Sequence, residues 1–241
     1  DAGLKRDDVD GLIVGPKTAY ERMGEVLGLN TRWGGQADSV QAVVQACMAI
    51  HSGLAEVVAL VYGYDQRSSK VQYGGAGNVS GGADHLSYVY HSPWGLTSQG
   101  ALYALMFQRY KELYGMTERD LGAVAVAQRL AASLNPHAVM PQRITIDEYL
   151  AAPYVCQPLR LLDYCLVNDG GVCLIIAERS RAQAIAARSG KKAVNILGIG
   201  RHDLNEGATS LEPRLLHFYR PAQRQAGDAA YAMAGIGPQD M

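Results

Sequence analysis

Two apolar runs constrain the fold of this chain more than any other feature of its sequence. The runs "VDGLIVG" (9–15) and "EVVALVYGY" (56–64) are short and bounded by polar residues or glycine, as buried strands are. Between them, residues 19–29 and 38–53 carry apolar side chains at helical spacing. A strand–helix–helix–strand order indicates a parallel crossover, so the sequence predicts an α/β fold.

The rest of the chain adds further elements of both kinds. Thr117 followed by Asp120 is a capping pattern, which predicts that a helix begins there. We predict parallel strands over 9–15, 56–63, 171–178 and 193–199, with an irregular, helix-containing cap over 65–160. Further helices are predicted over 101–115, 117–135, 145–152, 179–189 and 221–235.

The stretch "GGQADSVQAVVQACMAIHSG" (34–53) raises the question of a nucleophile. Two glycines precede a predicted helix N-terminus, where free N–H groups favour an anion, and Asp38 is the predicted N-cap. The single cysteine of the stretch, Cys47, lies well inside the helix. Because a cysteine on an apolar helical face is usually inert, we predict that Cys47 is buried and unreactive. The predicted apolar face consists of Val40, Val43, Val44, Cys47 and Ile50.

Composition excludes several classes of function. The formal net charge is −1, from 22 Lys and Arg against 23 Asp and Glu, so nucleic acid is not an expected ligand. No apolar run approaches the length of a membrane span. The four cysteines have no regular spacing, which favours a reducing cytoplasm, and the six histidines show no metal-ligand spacing. No GxSxG elbow is present, and the loop glycines lack the strand and helix of a dinucleotide fingerprint.

Tyrosine is the unusual count, with 14 residues against 2 Phe and 2 Trp. Several of them lie in the polar loop "VQYGGAGNVSGGADHLSYVYHSPWG", and a loop of this length is often functional. Another, Tyr219, stands in "LLHFYRP" before the last predicted helix. Phenols take part in proton transfer, although most single tyrosines only pack.

Six motifs in order carry a resemblance to a known family. The chain is similar to the sterol-carrier and lipid-transfer-protein branch of the thiolase superfamily, and the likeness covers nearly its whole length. The motifs are "SPWGL", "YGMT", "LNPHA", "ITIDEYLAAP", "PLRLLDYC" and "NDGG", supported by "DAGLKRDDVDGLIVG" and "AIHSGLAEVVALVYG" earlier in the chain.

This resemblance implies a thiolase-like fold, a layered αβαβα arrangement that is usually dimeric. It also implies a CoA thioester substrate, with coenzyme A as part of the substrate and no separate cofactor or metal. The first residues of the chain are predicted to be the C-terminal end of a helix, and the last residues are predicted to end another helix with no strand after it. We therefore expect a chain truncated at both ends. The implied domains are the first part of the N-terminal half (1–64), a loop or cap domain (65–160), the last part of the N-terminal half (161–192) and the start of the C-terminal half (193–241).

The chain departs from the family at the nucleophile. Counting back from Gly53 along the family pattern places the position of the nucleophilic cysteine near Gln36, and a glutamine is not usefully acylated. The strand that leads into this position also looks short or absent between Trp33 and Gly34. The same superfamily contains lyases without the cysteine, which cleave steroid or aromatic side-chain CoA thioesters by a retro-aldol reaction. That chemistry needs a base and donors that hold an enolate.

By this resemblance, Tyr219 is the candidate catalytic base, and His91, Trp94 and Arg220 are candidate substrate-binding residues. Arg220 could lower the pKa of the Tyr219 phenol or bind a CoA phosphate. The resemblance further implies a homodimer and a small partner subunit with an OB-fold and a zinc ribbon. Two alternatives stay open: a true thiolase whose catalytic residues lie in missing segments, and a non-catalytic or lipid-transfer subunit.

Overall fold

The computed structural model describes residues 3–16, 18–71, 92–96, 99–202 and 223–241. The chain forms two compact units. The first contains Asp1–Lys70, Asn168–Arg201 and Gln225–Met241, and the second contains Val71–Val167 and His202–Arg224. The domain boundaries given above stay predictions.

A four-stranded sheet with the order β2-β1-β3-β6 forms the centre of the first unit. Its strands are β1 (Gly11–Val14), β2 (Trp33–Gln36), β3 (Val57–Asp65) and β6 (Asp169–Ala177). The central strand β1 pairs in parallel with both β2 and β3, as the strand–helix–helix–strand order predicts. Both apolar runs therefore form the strands expected of them.

The predicted direction of the third strand was wrong, because β6 pairs with β3 in antiparallel register. An apolar run indicates a buried strand, but it does not show whether that strand is parallel or antiparallel to its neighbour. A parallel direction follows only where a crossover connects two strands on one sheet. The segment between β3 and β6 instead belongs largely to the second unit, so the crossover argument does not apply to β6.

Helices pack on both faces of this sheet. On one face, α2 packs against alternate residues of the strands, among them Ile13, Val58 and Leu60. On the other face, Leu12 and Val14 pack with residues of α1. The helices of the first unit are α1 (Tyr20–Leu27), α2 (Ser39–His51), α6 (Arg179–Ser189) and most of α7 (Gln223–Ala234).

The core-facing side of α2 differs from the predicted apolar face. Its buried residues are Ala42, Ala46 and Ala49, whereas Val40 is 70% exposed. Small side chains let the helix backbone approach the sheet closely, and alanines give a weaker hydrophobic signal than the valines beside them. The prediction followed the larger side chains and so selected a neighbouring stripe.

The strand predicted over 193–199 is not formed. Residues 191–202 have no regular secondary structure, and they pack beside α7. A Cβ atom at Gly198 or Gly200 would collide with the backbone of α7 at Ala230 or Ala226. Since a strand needs a hydrogen-bonded neighbour, and none of the described residues supplies one here, the apolar segment stays irregular.

The described residues of the second unit form helices and a short hairpin. Two of its helices begin with reciprocal capping boxes, in which Thr117 pairs with Asp120 and Thr145 pairs with Glu148. No described helix in either unit combines the length and apolarity that a membrane span requires. The elements are α3 (Gln99–Tyr114), α4 (Glu118–Ser133), α5 (Ile146–Ala151), β4 (Tyr154–Cys156) and β5 (Leu159–Arg160).

Arg160, in the motif "PLRLLDYC", holds this unit together. Its guanidinium donates to the carboxylate of Glu118 at 2.7 Å, to the hydroxyl of Tyr154 at 2.7 Å and to the carbonyl of Ala152 at 2.7 Å. Its charge also lies 4.1 Å from the centre of the Tyr154 ring. Because the Arg160 side chain is only 11% exposed and fully engaged, the motif has a structural role here.

Asp10 ties the amino ends of the three parallel strands together. Its carboxylate accepts hydrogen bonds from the backbone N–H groups of Glu56 and Val57, which lead into β3, at 2.9 and 2.8 Å. It also accepts a bond of 2.8 Å from Nε of Arg32, next to β2. Burial alone would raise the pKa of Asp10, but these hydrogen bonds and the Arg32 charge outweigh it and lower the pKa.

We predict that Leu12→Ala destabilises the protein by about 2–5 kcal/mol, since Leu12 is fully buried and its loss leaves a cavity between β1 and α1. The free energy of unfolding from urea titration measures the effect. Val26→Ala is the matched control, because Val26 is 66% exposed on α1 and its loss leaves no cavity. Equal effects from the two substitutions would show that Leu12 does not lie in the core.

We predict that Asp10→Asn lowers stability at pH 7 by about 1–3 kcal/mol, because a charged acceptor of several hydrogen bonds is lost. The lowered pKa means that the Asp10 contribution is present above its unfolded pKa, near 3.8, and is lost as pH falls through the folded value. The variant should therefore show a shallower loss of stability in acid than the wild type. Asp7→Asn, at an exposed aspartate, is the control, and an unchanged acid profile in Asp10→Asn would contradict the prediction.

Candidate active site

The carboxyl ends of β1, β2 and β3 meet at one edge of the sheet because the three strands are parallel. Ligands of open α/β sheets usually bind outside this edge. The residues that follow or end these strands are Gly15 after β1, Gln36 at the end of β2, and Tyr62 and Tyr64 near the end of β3. The N-terminus of α2 lies at the same edge, since α2 follows β2 directly.

Gln36 is the last residue of a strand that the sequence did not predict. "WGGQ" contains two glycines and no β-branched residue, yet it pairs with β1 along its whole length. A Cβ atom at Gly34 would collide with the ring of Tyr20, so a larger residue there would displace that side chain. The Gln36 amide donates to the carbonyl oxygen of Thr18 at 2.5 Å. Gln36, near which the nucleophile was predicted, therefore carries a hydrogen-bonding side chain.

Asp38 occupies the N-cap position of α2, as predicted, with an extended backbone at φ −112° and ψ 150°. Its side chain, however, makes no capping hydrogen bond. The carboxylate instead lies close enough to Tyr62 for its charge to raise the pKa of that phenol. Asp38 thus belongs to a cluster of polar side chains at the strand ends, which we call the Tyr–Asp cluster: Asp38, Tyr62 and Tyr64.

The two tyrosines continue the row of β3 side chains that faces α2. Val58 and Leu60 in this row are buried in the core. Tyr62 and Tyr64 follow at the same two-residue spacing, so they lie on the same face as Val58 and Leu60, because side chains alternate between the two faces along a strand. Their ring centres are 4.8 Å apart with the planes at 68°, an edge-to-face contact. The row therefore changes from apolar to phenolic where it reaches the edge of the sheet.

Tyr62 stays protonated over the whole neutral range. Burial raises its pKa most, and the neighbouring Tyr64 phenol and the nearby charge of Asp38 raise it further. The ring also packs on Gly15, where a Cβ atom would lie only 2.8 Å from Cδ2 of Tyr62. Tyr62 is therefore a fixed, neutral phenol that can donate one hydrogen bond.

Three of the predicted site residues lie outside the described residues: His91, Tyr219 and Arg220. Trp94 is described, in a short 3-10 helix at Ser92–Trp94 of the second unit, and its side chain is 83% exposed. The findings do not test the roles predicted for these four residues. Within the described ranges, no group of three or more His, Cys, Asp or Glu side chains is placed to hold a metal ion.

Sequence reasoning missed the Tyr–Asp cluster. It assigned Asp38 to a helix cap and read Tyr62 and Tyr64 only as strand residues. The signal that could have found the tyrosines is the two-residue spacing of a strand in "VVALVYGYD", which places Tyr62 and Tyr64 on the same face as Val58 and Leu60. The spacing along β3 could not show that Asp38 belongs to the cluster, since Asp38 lies at the N-terminus of α2.

Comparison with known proteins gives relatives over the whole chain, although no family model matches it. The chain is 30% identical over its full length to the steroid side-chain-cleaving aldolase of Thermomonospora curvata. It is also 30% identical to the 17-hydroxy-3-oxo-4-pregnene-20-carboxyl-CoA lyase of Mycobacterium tuberculosis, and it spans 64% of the length of each of these two relatives. An acetyl-CoA acetyltransferase of Methanocaldococcus jannaschii is 30% identical over the full chain, which covers 62% of that protein.

Solved structures similar to this chain include proteins of the same kind as these relatives. The structure described as the Ltp2-ChsH2(DUF35) aldolase matches the whole chain with a TM-score of 0.81 at 26% identity, and the chain covers 62% of it. A monomeric SCP2-thiolase-like protein of Mycobacterium smegmatis shares the fold, with a TM-score of 0.66 at 19% identity over 98% of this chain and 50% of that one. The chain therefore has the thiolase fold and resembles the thiolase superfamily over its full length, and its relatives there are named as an aldolase, a lyase and an acetyltransferase.

Cys47 was predicted to be buried, but it is only half-buried. The side of α2 that faces the sheet carries the alanines and does not include Cys47. Burial nevertheless raises the pKa of its thiol, which lowers the thiolate fraction. We predict that iodoacetamide labels the exposed Cys165 and Cys173 first and Cys47 slowly, as peptide mass spectrometry of a native time course would show. Faster labelling of Cys47, with loss of activity, would make it a candidate nucleophile.

Proposed function

We propose that the complete protein cleaves a carbon–carbon bond of a bulky 3-hydroxyacyl-CoA by a retro-aldol reaction. The observation that supports this most is Gln36, a hydrogen-bonded amide where the superfamily's transferases carry a nucleophilic cysteine. Acyl transfer through the enzyme requires a nucleophile, whereas retro-aldol cleavage requires only proton transfer and stabilisation of an enolate. Two relatives that align with the whole chain are named as an aldolase and a lyase.

In this reaction a base takes the proton of the 3-hydroxyl group. The bond between the α- and β-carbons then breaks, and the β-carbon becomes the carbonyl carbon of a ketone or aldehyde. The electron pair of the broken bond stays on the α-carbon side and gives the enolate of a shorter acyl-CoA. Tyr219 is our proposed base, with Arg220 beside it in sequence to lower the phenol pKa or to bind a CoA phosphate. His91 and Trp94 are proposed to contact the substrate, and coenzyme A enters as part of that substrate.

The substrate class and the assembly belong to the same proposal. A steroid or aromatic side-chain thioester fits the names of the relatives, one of which is a steroid side-chain-cleaving aldolase. One solved relative is described as an Ltp2-ChsH2(DUF35) aldolase, which supports a partner subunit for this protein. We further propose that the protein is a cytoplasmic homodimer and that the partner carries an OB-fold and a zinc ribbon.

A second candidate function is acetyl-CoA acyl transfer. Its support is the 30% identity with the Methanocaldococcus jannaschii acetyl-CoA acetyltransferase over the full chain. That function would require a nucleophile from residues outside this chain, because Gln36 does not provide one. The two reactions differ in one requirement, since acyl transfer consumes free coenzyme A and retro-aldol cleavage does not. A non-catalytic lipid-transfer subunit would show neither activity.

We predict that Tyr219→Phe lowers the rate of cleavage about 10²- to 10⁴-fold, the usual effect of losing a general base. The substitution removes only the hydroxyl group, so the thermal midpoint should change little. The assay follows release of a short acyl-CoA from a bulky 3-hydroxyacyl-CoA, without free coenzyme A, by the complete protein with its partner.

Tyr103→Phe serves as the control, because it removes a phenol hydroxyl from a residue that is 59% exposed on α3. Full activity in Tyr219→Phe would remove Tyr219 from the mechanism. A wild-type protein that cleaves only 3-ketoacyl-CoA in the presence of free coenzyme A would favour acyl transfer. Absence of both activities would favour the non-catalytic function.

A further inference from the structure

Retro-aldol cleavage requires a group that the proposed base does not supply. When the bond between the α- and β-carbons breaks, negative charge develops on the oxygen of the thioester carbonyl as the enolate forms. A fixed hydrogen-bond donor aimed at that oxygen stabilises the charge and lowers the barrier. The donor proposed here belongs to the first unit, and its role rests on the proposed function.

Gln36 lies where a ligand of this sheet would bind. It is the last residue of β2, at the carboxyl edge where three parallel strands end. The residue is exposed, whereas the next residue, Ala37, is buried. The backbone is held on both sides, because Gln36 pairs with Val14 of β1 and the N–H group of Ala37 donates to the Val14 carbonyl at 3.1 Å. Gln36 therefore presents its amide from a fixed strand end.

One hydrogen bond sets the orientation of the Gln36 amide. Its Nε2 atom lies 2.5 Å from the carbonyl oxygen of Thr18, and because that oxygen can only accept, the amide nitrogen and not Oε1 must face it. A primary amide carries two N–H donors, so one of them remains after this bond. Among the described residues no acceptor takes the second N–H, and a ligand at this edge can therefore receive it.

An amide suits an enolate for chemical reasons. It is uncharged, and its N–H groups are not acidic enough to be transferred, so it stabilises the enolate without protonating it. It also has no nucleophilic atom that would form an acyl-enzyme. The carboxylate of Asp38, at the same edge, is negatively charged and would repel an enolate. The developing charge therefore needs a neutral donor such as the Gln36 amide.

We propose that Gln36 is a catalytic residue that donates its second amide N–H to the thioester oxygen of the substrate. The electron pair of the broken carbon–carbon bond forms the double bond of the enolate, and negative charge moves onto this oxygen. The Gln36 proton stays on its nitrogen. The proton that the base takes from the 3-hydroxyl group returns through water to the α-carbon, so no net proton is gained or lost. The bond to the Thr18 carbonyl keeps the donor aligned.

Gln36→Met tests this role, because methionine keeps the length of the side chain and removes both donors. In cleavage of a bulky 3-hydroxyacyl-CoA by the complete protein with its partner, kcat should fall about 10²- to 10³-fold, the usual cost of one lost oxyanion donor, with KM nearly unchanged. Gln36→Glu should lose more at neutral pH, because a carboxylate beside the enolate repels it. Gln108→Met is the matched control. Gln108 is an exposed glutamine of α3 that donates one side-chain bond, to Glu112, so this variant should keep the wild-type kcat.

The wild type and the variants together separate this role from the proposed function. A wild type that cleaves no 3-hydroxyacyl-CoA refutes the proposed function and the role of Gln36 with it. A wild type that cleaves, beside a Gln36→Met protein that keeps the wild-type kcat or raises only KM, overturns the role of Gln36 alone. Thermal midpoints within a few degrees of the wild type show that the variants are folded. If Gln36→Met is unstable, Gln36→Glu decides, because it keeps the shape of the amide, and a wild-type kcat in this variant overturns the role.

Discussion

The carboxylate of Asp10 is the interaction on which the rest of the first unit depends. It binds the segments that lead into β1, β2 and β3, so the three parallel strands begin at the same level. Because the strands are aligned at their amino ends, their carboxyl ends also meet. That alignment brings Gln36, Asp38 and the two tyrosines of β3 to one edge of the sheet.

The chemistry at this edge follows from what the residues can and cannot do. An amide at position 36 accepts and donates hydrogen bonds but does not form an acyl-enzyme. The phenols and the carboxylate of the Tyr–Asp cluster lie at the same edge of the sheet, where burial and its two neighbours raise the pKa of Tyr62 and keep it neutral. The proposed function therefore uses proton transfer in a fold that in other proteins supports acyl transfer.

Much of this fold could be predicted from the sequence, and the failures have physical causes. The runs at 9–15 and 56–64 gave strands because a buried strand needs a continuous apolar segment, whereas β2 formed from "WGGQ" through pairing with β1 alone. The direction of β6 and the absence of a strand at 193–199 depend on neighbours in space. Family motifs identified the superfamily, but the Tyr–Asp cluster joins two distant elements, which spacing along the chain does not show.

The central claim is that this site works without a covalent acyl-enzyme. Intact-mass spectrometry of the complete protein, quenched during turnover of a bulky 3-hydroxyacyl-CoA, tests it most directly. The account predicts that a ketone or aldehyde and a shorter acyl-CoA accumulate while the protein keeps its unmodified mass. A protein species heavier by one acyl group, mapped to Cys47 or to any other cysteine, would contradict it.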